Sequence, residues 1–389
     1  MGVRHLFFSI SLLSAVFASP LQSQQDPTRT SVIADAQADK AQTLQPYEPT
    51  AAERVFLAIK REFIDSPSGF YPLTGTVYKG TGFAAGGGYR FYVHDRTYAD
   101  AKGLWSWRTS TLMDLAAHSP GHFNDRVDLN LSVGRRDVSN VAFFGIGPNS
   151  PDQEVDFPFT ESFGGAGVRF RPFGPVVLGS RANFERYEFK ADGNSSTVAP
   201  GLGQTANYLH LTESAGIDWR PAEGYARSGG LYEVRYNQYD DRHGVLSFDR
   251  AASEVVQHFP IFRETWVIST HGLVESLVNE RATTPYLLMP SLGGSDTLRG
   301  YPAWRFRDRN SLLLQGDFRW IPNRYGMDMA LFYDTGKVAG RRSELNFRGL
   351  KSDVGAEVRF HGQAQTPLRF GIARGREGWN FIFAGTAAF

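Results

Sequence analysis

The sequence predicts an all-β protein, a transmembrane antiparallel β-barrel of sixteen strands, fourteen of which can be read directly. Three observations point there. A two-residue apolar/polar alternation recurs along nearly the whole chain, an export-type N-terminus precedes it, and the connections between alternating segments sort into short and long. Alternation by itself suits a soluble sheet equally well, because one face can cover a core while the other meets water. Its recurrence behind an export signal selects the membrane. Lipid requires every backbone polar group to be paired internally, which leaves only helices and closed barrels. After the N-terminus no stretch of the 389 residues approaches the roughly 18 consecutive apolar residues of a spanning helix.

The N-terminus carries Arg4 and His5, then an apolar run from Leu6 to Phe17 interrupted by Ser9, Ser11 and Ser14, then Val16-Phe17-Ala18 as a cleavage site. This run is too short to span a bilayer and predicts a signal peptide over 1–18, removed after export. Residues 19–49 are rich in Gln, Asp, Thr and Ala without periodicity, and predict a flexible periplasmic segment. Thr50 and Glu53 form a capping box, and Val55, Phe56, Ile59 and Phe63 share a face, so 50–66 is a short amphipathic helix or a first strand. Residues 67–389 form the barrel.

Its directly readable strands are 81–94, 104–117, 123–136, 161–172, 176–190, 207–220, 228–240, 244–258, 261–275, 309–320, 327–338, 350–361, 367–374 and 379–389. Segments 68–80 and 54–64 could each add one, so fourteen and sixteen are both even totals open to the chain. Val127, Leu129, Leu131 and Val133 alternate with Asp128, Asn130, Ser132 and Gly134. Val354, Ala356, Val358 and Phe360 alternate with Asp353, Gly355, Glu357, Arg359 and His361. Such charged positions are costly against lipid but comfortable in a hydrated lumen. The last strand places Trp379, Phe381, Phe383 and the terminal Phe389 on one face and Asn380 and Thr386 on the other. Short connections at 118–122, 172–175, 259–260, 322–325 and 362–366, against long ones at 137–160, 191–206 and 276–308, predict outer-membrane asymmetry with both barrel termini in the periplasm.

Composition narrows the function. A mean hydropathy of -0.32 is too polar for a bundle of membrane helices, while alternation lets a lipid-facing surface coexist with an ordinary mean. No cysteine is present, which excludes disulfides, thiolate metal sites and thiol catalysis. A net charge of +1 without a basic run gives no case for nucleic acid.

The motif Gly293-Gly294-Ser295-Asp296-Thr297-Leu298-Arg299-Gly300-Tyr301 lies in the long loop before strand 309–320. Leu331-Phe332-Tyr333-Asp334-Thr335-Gly336 and Asp353-Val354-Gly355-Ala356-Glu357-Val358-Arg359 follow in order. Together they resemble the signatures of the outer-membrane assembly and secretion superfamily, the bacterial surface antigen barrels that include BamA, TamA, the mitochondrial sorting-assembly barrel and two-partner-secretion transporters. The resemblance covers residues 290–389 and more loosely the chain from 70. It implies that the sixth extracellular loop folds back into the lumen, with the loop-lock motif Leu298, Arg299, Gly300 and Tyr301 meeting inner-wall partners Phe332, Asp334, Gly336 and Glu357. Arg299 is then the clasping arginine, held by Asp334 or Glu357, a role suited to a permanently charged, two-pronged guanidinium. It further implies a weak, parting seam between first and last strands, with Gly378, Gly385 and Thr386 compatible with poor pairing. Trp379, Phe381, Phe383 and Phe389 serve as the C-terminal signal for assembly machinery. The family's assembly and secretion members carry POTRA domains ahead of the barrel; residues 19–69 hold no such βααββ pattern, so a barrel-only member is expected.

The implied function is insertion or translocation of polypeptides, or of lipids, at the Gram-negative outer membrane. No catalysis, cofactor or metal is expected; the partners are outer-membrane lipids, the assembly machinery, and a polypeptide client or periplasmic partner. Two alternatives stay open: a passive channel, and a membrane-embedded hydrolase using His243 beside Asp240 and Asp241. Asp240-Asp241-Arg242-His243 resembles the acid–histidine arrangement of outer-membrane proteases, but charged, turn-favouring residues at a hairpin tip are commoner than a catalytic set. No Gly-x-Ser-x-Gly elbow occurs, and His94, His118 and His122 lack a metal-binding spacing. The glycines at 80, 82, 86, 87 and 88 lack the lysine and strand-to-helix setting of a phosphate loop and suit a sharp bend in the wall.

Overall fold

Residues 32–33, 35–39, 50–51, 54, 68–191, 199–262, 264–280, 283–322, 326–361 and 368–385 are described by this computed structural model. The chain divides into a unit to Arg54 and a unit from Val55. In the first, residues 32–33 and 35–39 are helical and exposed, and the Arg54 amide donates to the Thr50 carbonyl at 2.9 Å. The expected signal peptide, most of 50–66 and the terminal Phe389 lie outside the described residues.

The second unit is a sheet of sixteen antiparallel strands in sequence order. They are β1 (Gly69–Gly75), β2 (Ala84–Tyr92), β3 (Tyr98–Ser106), β4 (Thr111–Gly121), β5 (Val127–Phe143), β6 (Val155–Phe170), β7 (Val176–Phe189) and β8 (Thr205–Asp218). After them come β9 (Gly229–Asp241), β10 (Phe248–Phe262), β11 (Trp266–Glu280), β14 (Asn310–Trp320), β15 (Met327–Ala339), β16 (Lys351–Phe360), β17 (Leu368–Gly375) and β18 (Gly378–Ala384). A two-stranded ladder inside the long connection, β12 (Ser291–Leu292) with β13 (Phe306–Arg307), is separate from the wall.

The total of sixteen is reached differently from the sequence reading. Segment 68–80 supplies β1, but the second addition is β3, which sequence patterning passes over. On β3 the outward positions Ala99, Ala101 and Gly103 are small and Trp105 alone is large, while Leu104 turns inward to pack on a core, so hydrophobic contrast between its faces is weak.

Outward positions carry the apolar side chains, among them Leu131, Val133, Phe184, Val234, Leu331, Val354 and Phe381, all exposed. So much exposed apolar surface on every strand is what lipid covers. The inward face departs from the expected wet lining. Near the end of the barrel bearing the long connections, inward Phe143, Phe157, Phe159, Phe189, Tyr208, Tyr239 and Phe248 are buried. They pack on Tyr286, Leu287, Leu288 and Met289 of the long connection, forming an apolar core within the barrel. The other half of the interior keeps charged side chains: Arg181, Glu233, Arg235 and Glu254 line a cavity of about 380 Å³. At that end the connection between β8 and β9 reaches across to distant strands. Arg319 donates to the Ala226 carbonyl at 2.7 Å, and Tyr225 stacks on His361 with ring centres 3.5 Å apart.

Strand lengths vary round the wall. β5 has 17 residues, whereas β1 and β18 have 7 each and β17 has 8, short of the roughly 9–11 that a membrane strand needs. Among the described residues no ladder joins β1 to β18. A Cβ built on Gly75 would lie 4.0 Å from the Gly385 Cα, so the two edges approach at that level. Beyond it β18 faces the non-strand segment 76–83, with the Phe83 and Phe383 rings 4.9 Å apart.

Candidate functional site

The long connection between β11 and β14 turns into the barrel, and its tip is built for close contact. Gly293 and Gly294 take φ of +110° and +95°, left-handed values open to glycine, and set up the turn leading to Arg299. The Thr297 hydroxyl donates to the Gly293 carbonyl at 3.1 Å and accepts from the Gly293 amide at 2.8 Å. Leu298 and Tyr301, each 0% exposed, pack with Leu292, Phe306, Leu313 and Val338. A short apolar nucleus thereby fixes the residues on either side of Arg299.

Arg299 is itself 0% exposed. Its Nε donates to Asp334 Oδ2 at 2.7 Å and its Nη2 to Asp334 Oδ1 at 2.6 Å, a two-pronged bond completed by the Arg299 amide to Oδ2 at 3.1 Å. Nη2 also donates to Asp317 Oδ1 at 2.7 Å, and Nη1 stands 3.6 Å from Glu357 Oε2. The guanidinium carbon sits 3.6 Å over the Phe332 ring centre. Three adjacent strands contribute: Asp317 on β14, Phe332 and Asp334 on β15, Glu357 on β16. Strand alternation delivers these side chains to one inner surface, and cross-strand register sets Asp317 opposite Phe332.

The acids are shared with further arginines. Arg359 binds Glu357 Oε2 at 2.8 Å and also pairs with Asp317. Arg369 donates to Glu357 Oε1 at 3.1 Å and to Asp296 Oδ1 of the loop at 3.0 Å. Gln315 holds the Thr297 carbonyl at 2.7 Å and Asp334 Oδ1 at 3.2 Å. Charges this deeply buried depend on one another, since desolvation costs several kcal/mol per ion and removing one partner leaves the others uncompensated. The network is therefore a cooperative clasp between loop and wall.

Two glycines of the motifs act by making room. A Cβ on Gly300 would lie 2.4 Å from the Asp353 Cβ and 2.8 Å from the Gly375 amide nitrogen. One on Gly336 would lie 2.6 Å from the Leu312 carbonyl oxygen and 3.0 Å from Leu292 Cδ1. Gly300→Ala is expected to cost about 1–3 kcal/mol by overpacking, checked as a lower temperature for conversion of the folded electrophoretic band.

The loop also reaches the last strand. Asn380, inward on β18, donates to the Arg299 carbonyl at 2.8 Å and the Tyr301 carbonyl at 3.2 Å. Trp379 and Phe381 point outward and are exposed, and Phe383 meets Phe83 at the seam. Sequence reading missed Asp317, Gln315, Arg359, Arg369 and Asn380 as parts of the clasp. Their signal was available for Asp317 and Gln315, which fall on the inward parity of a strand already recognised; Arg369 and Asn380 need the folded loop to give them meaning.

Of the other candidates, His243 is exposed at the tip after β9, while Asp241 is buried, accepting the Asn207 amide at 3.1 Å. Asp240 accepts from Gln238 at 2.7 Å.

No protein-family model matches the chain, and no curated protein does. Among solved structures it is similar to BamA from Haemophilus ducreyi lacking POTRA domains 1-3, with a TM-score of 0.59 at 11% identity, covering 82% of this chain and 69% of that one. It also aligns with OccK3 (OpdO) of Pseudomonas aeruginosa at 12% identity and a TM-score of 0.35, over 80% of this chain and 90% of that one. The fold is a sixteen-stranded, BamA-like barrel.

Proposed function

We propose that the chain is an outer-membrane barrel of the assembly and secretion superfamily, with its strand termini on the periplasmic side, that helps insert or translocate polypeptides. The observation that carries this reading is the pairing of a clasped inward loop with an unladdered seam in one wall. An unpaired strand edge offers amides and carbonyls that an incoming strand can satisfy, so the client's own pairing supplies the driving free energy. No bond-making or bond-breaking step is assigned to the barrel. Proteoliposomes holding it should fold an unfolded outer-membrane barrel client at least about tenfold faster than lipid alone, the equivalent of some 1.4 kcal/mol off the barrier. Equal rates would refute insertion.

The channel alternative makes a different demand. Tyr286 to Met289 and the facing aromatics fill the interior near the loops, and the β8–β9 connection reaches across the opposite end. Both support an occluded lumen. Planar-bilayer recordings are expected to give small, irregular currents; a large, steady open level would favour the channel.

A further inference from the structure

One acid beside the clasp takes no part in it. Asp353 points inward from β16, is 3% exposed, and stands directly across the ladder from Asp334. Neither of its carboxyl oxygens has a hydrogen-bond partner among the described residues, and no ion pair joins it to a basic side chain there. The docked loop shuts it in. Gly300 packs so tightly here that a Cβ on it would meet the Asp353 Cβ at 2.4 Å, so the loop backbone is what keeps water from this carboxyl.

The surrounding charges leave it uncompensated. Asp317, Asp334, Asp353 and Glu357 are all buried, and they share three arginines, Arg299, Arg359 and Arg369. Arg299 directs Nε and Nη2 to Asp334 and Asp317 and turns Nη1 toward Glu357. Asp296 of the loop draws on Arg369 as well. The other groups facing Asp353 are also engaged elsewhere: Lys351 Nζ lies 5.4 Å over the Phe306 ring, and Glu377 pairs with Arg305 at 2.7 Å. Arg376, beyond Gly375, offers its amide to the Tyr301 hydroxyl at 3.5 Å, and Arg374 packs on Trp379 with 5.3 Å to the ring centre. Two facing carboxyls in a dry site do not both ionise. Asp334 accepts from Arg299 through both oxygens and so carries the charge, which leaves the proton to Asp353.

We propose that docking of the inward loop is coupled to uptake of one proton by Asp353, so that the clasp closes more firmly as pH falls. The proton comes from solvent as the loop excludes water, and no other bond is made or broken. With the loop released, water reaches both carboxyls and both ionise, so the docked state holds one proton more than the released one. Docking therefore weakens as pH rises above the ordinary aspartate range of about 4, by up to about tenfold per pH unit. The inference rests on the loop clasp and not on any polypeptide client.

The test follows limited proteolysis of 290–306 in the folded full chain from about pH 5 upward, normalised at each pH to cleavage of an unfolded substrate. Cleavage of the loop should rise with pH, by up to about tenfold per unit. Asp353→Asn has the shape of the protonated acid without its titration, and it should keep the loop protected and flatten the profile. A flat profile in the unmodified chain would overturn the proposal. So would an unchanged slope in Asp353→Asn, which would hand the pH dependence to other lumen groups such as His361, 3.0 Å from Asp328. If Asp353→Asn does not fold, the infrared carbonyl band of a protonated carboxyl decides the matter in the unmodified chain. It should be present while the loop is docked and vanish as rising pH releases it; no such band with the loop docked would overturn the coupling. Since no client enters the measurement, its outcome is independent of the insertion assay.

Discussion

Replacing Arg299 by Ala is expected to free the inward loop from the wall and destabilise its docked state by about 3–5 kcal/mol, the usual penalty for removing one partner of a buried ion pair. The reason is the fate of the acids left behind. Asp334 loses a two-pronged bond and a backbone amide, and Asp317 loses its 2.7 Å contact, in a place where both are 0% exposed as side chains. Arg359 still reaches Asp317 and Glu357, so the remaining network is strained rather than erased. Arg299→Lys should recover little, because one ammonium cannot span Asp334 and Asp317 with the geometry of a guanidinium. Limited proteolysis of 290–306 and the heating temperature of the folded band measure the effect. Protection and conversion indistinguishable from the unmodified chain would show that the clasp does not hold the loop.

Much of this site was legible because a strand's parity fixes which face a residue occupies. Once 327–338 and 350–361 are read as strands, Asp334 and Glu357 fall on the polar face of each, which supports the partners that the resemblance to the assembly and secretion barrels implies for Arg299. The apolar half of the lumen was not legible in the same way. Phe157 and Phe159 sit on inward positions that a pure barrel pattern assigns to water, and their burial depends on Tyr286 to Met289 folding back from more than a hundred residues away. Likewise β3 shows little contrast between its faces, since three of its outward residues, Ala99, Ala101 and Gly103, are small and its inward Leu104 is apolar. Period-two reasoning finds walls well, and it is silent about what a loop brings inside them.

The loop's contacts fall on both flanks of the seam, and this makes Trp304→Ala the second large expected effect. On one flank Asn380 of β18 holds the Arg299 and Tyr301 carbonyls. On the other, Trp304 Nε1 donates to the Lys79 carbonyl at 2.9 Å and its ring stacks on Tyr78 at 5.6 Å. The same ring lies 5.2 Å from the Arg307 guanidinium, a fully buried group whose nitrogens have no hydrogen-bond partner among the described residues. Trp304 holds φ at 65°, a left-handed conformation costing a non-glycine residue roughly 1–2 kcal/mol, so the surrounding contacts must outweigh that strain. Truncation to Ala keeps the strain and removes the ring, for an expected loss of about 3–5 kcal/mol. Segment 76–83 should then separate from the loop while the Arg299 clasp stays closed. Because the chain has no cysteine, Thr76→Cys gives a clean reporter. Its maleimide labelling should accelerate by about a hundredfold or more in the Trp304→Ala background, since each 1.4 kcal/mol of lost protection is tenfold in local opening. Trp304→Phe, which retains the stack but not the N–H, should lie close to the unmodified rate. Equal labelling in all three would mean that the loop does not hold this flank, and that the seam is closed by contacts elsewhere.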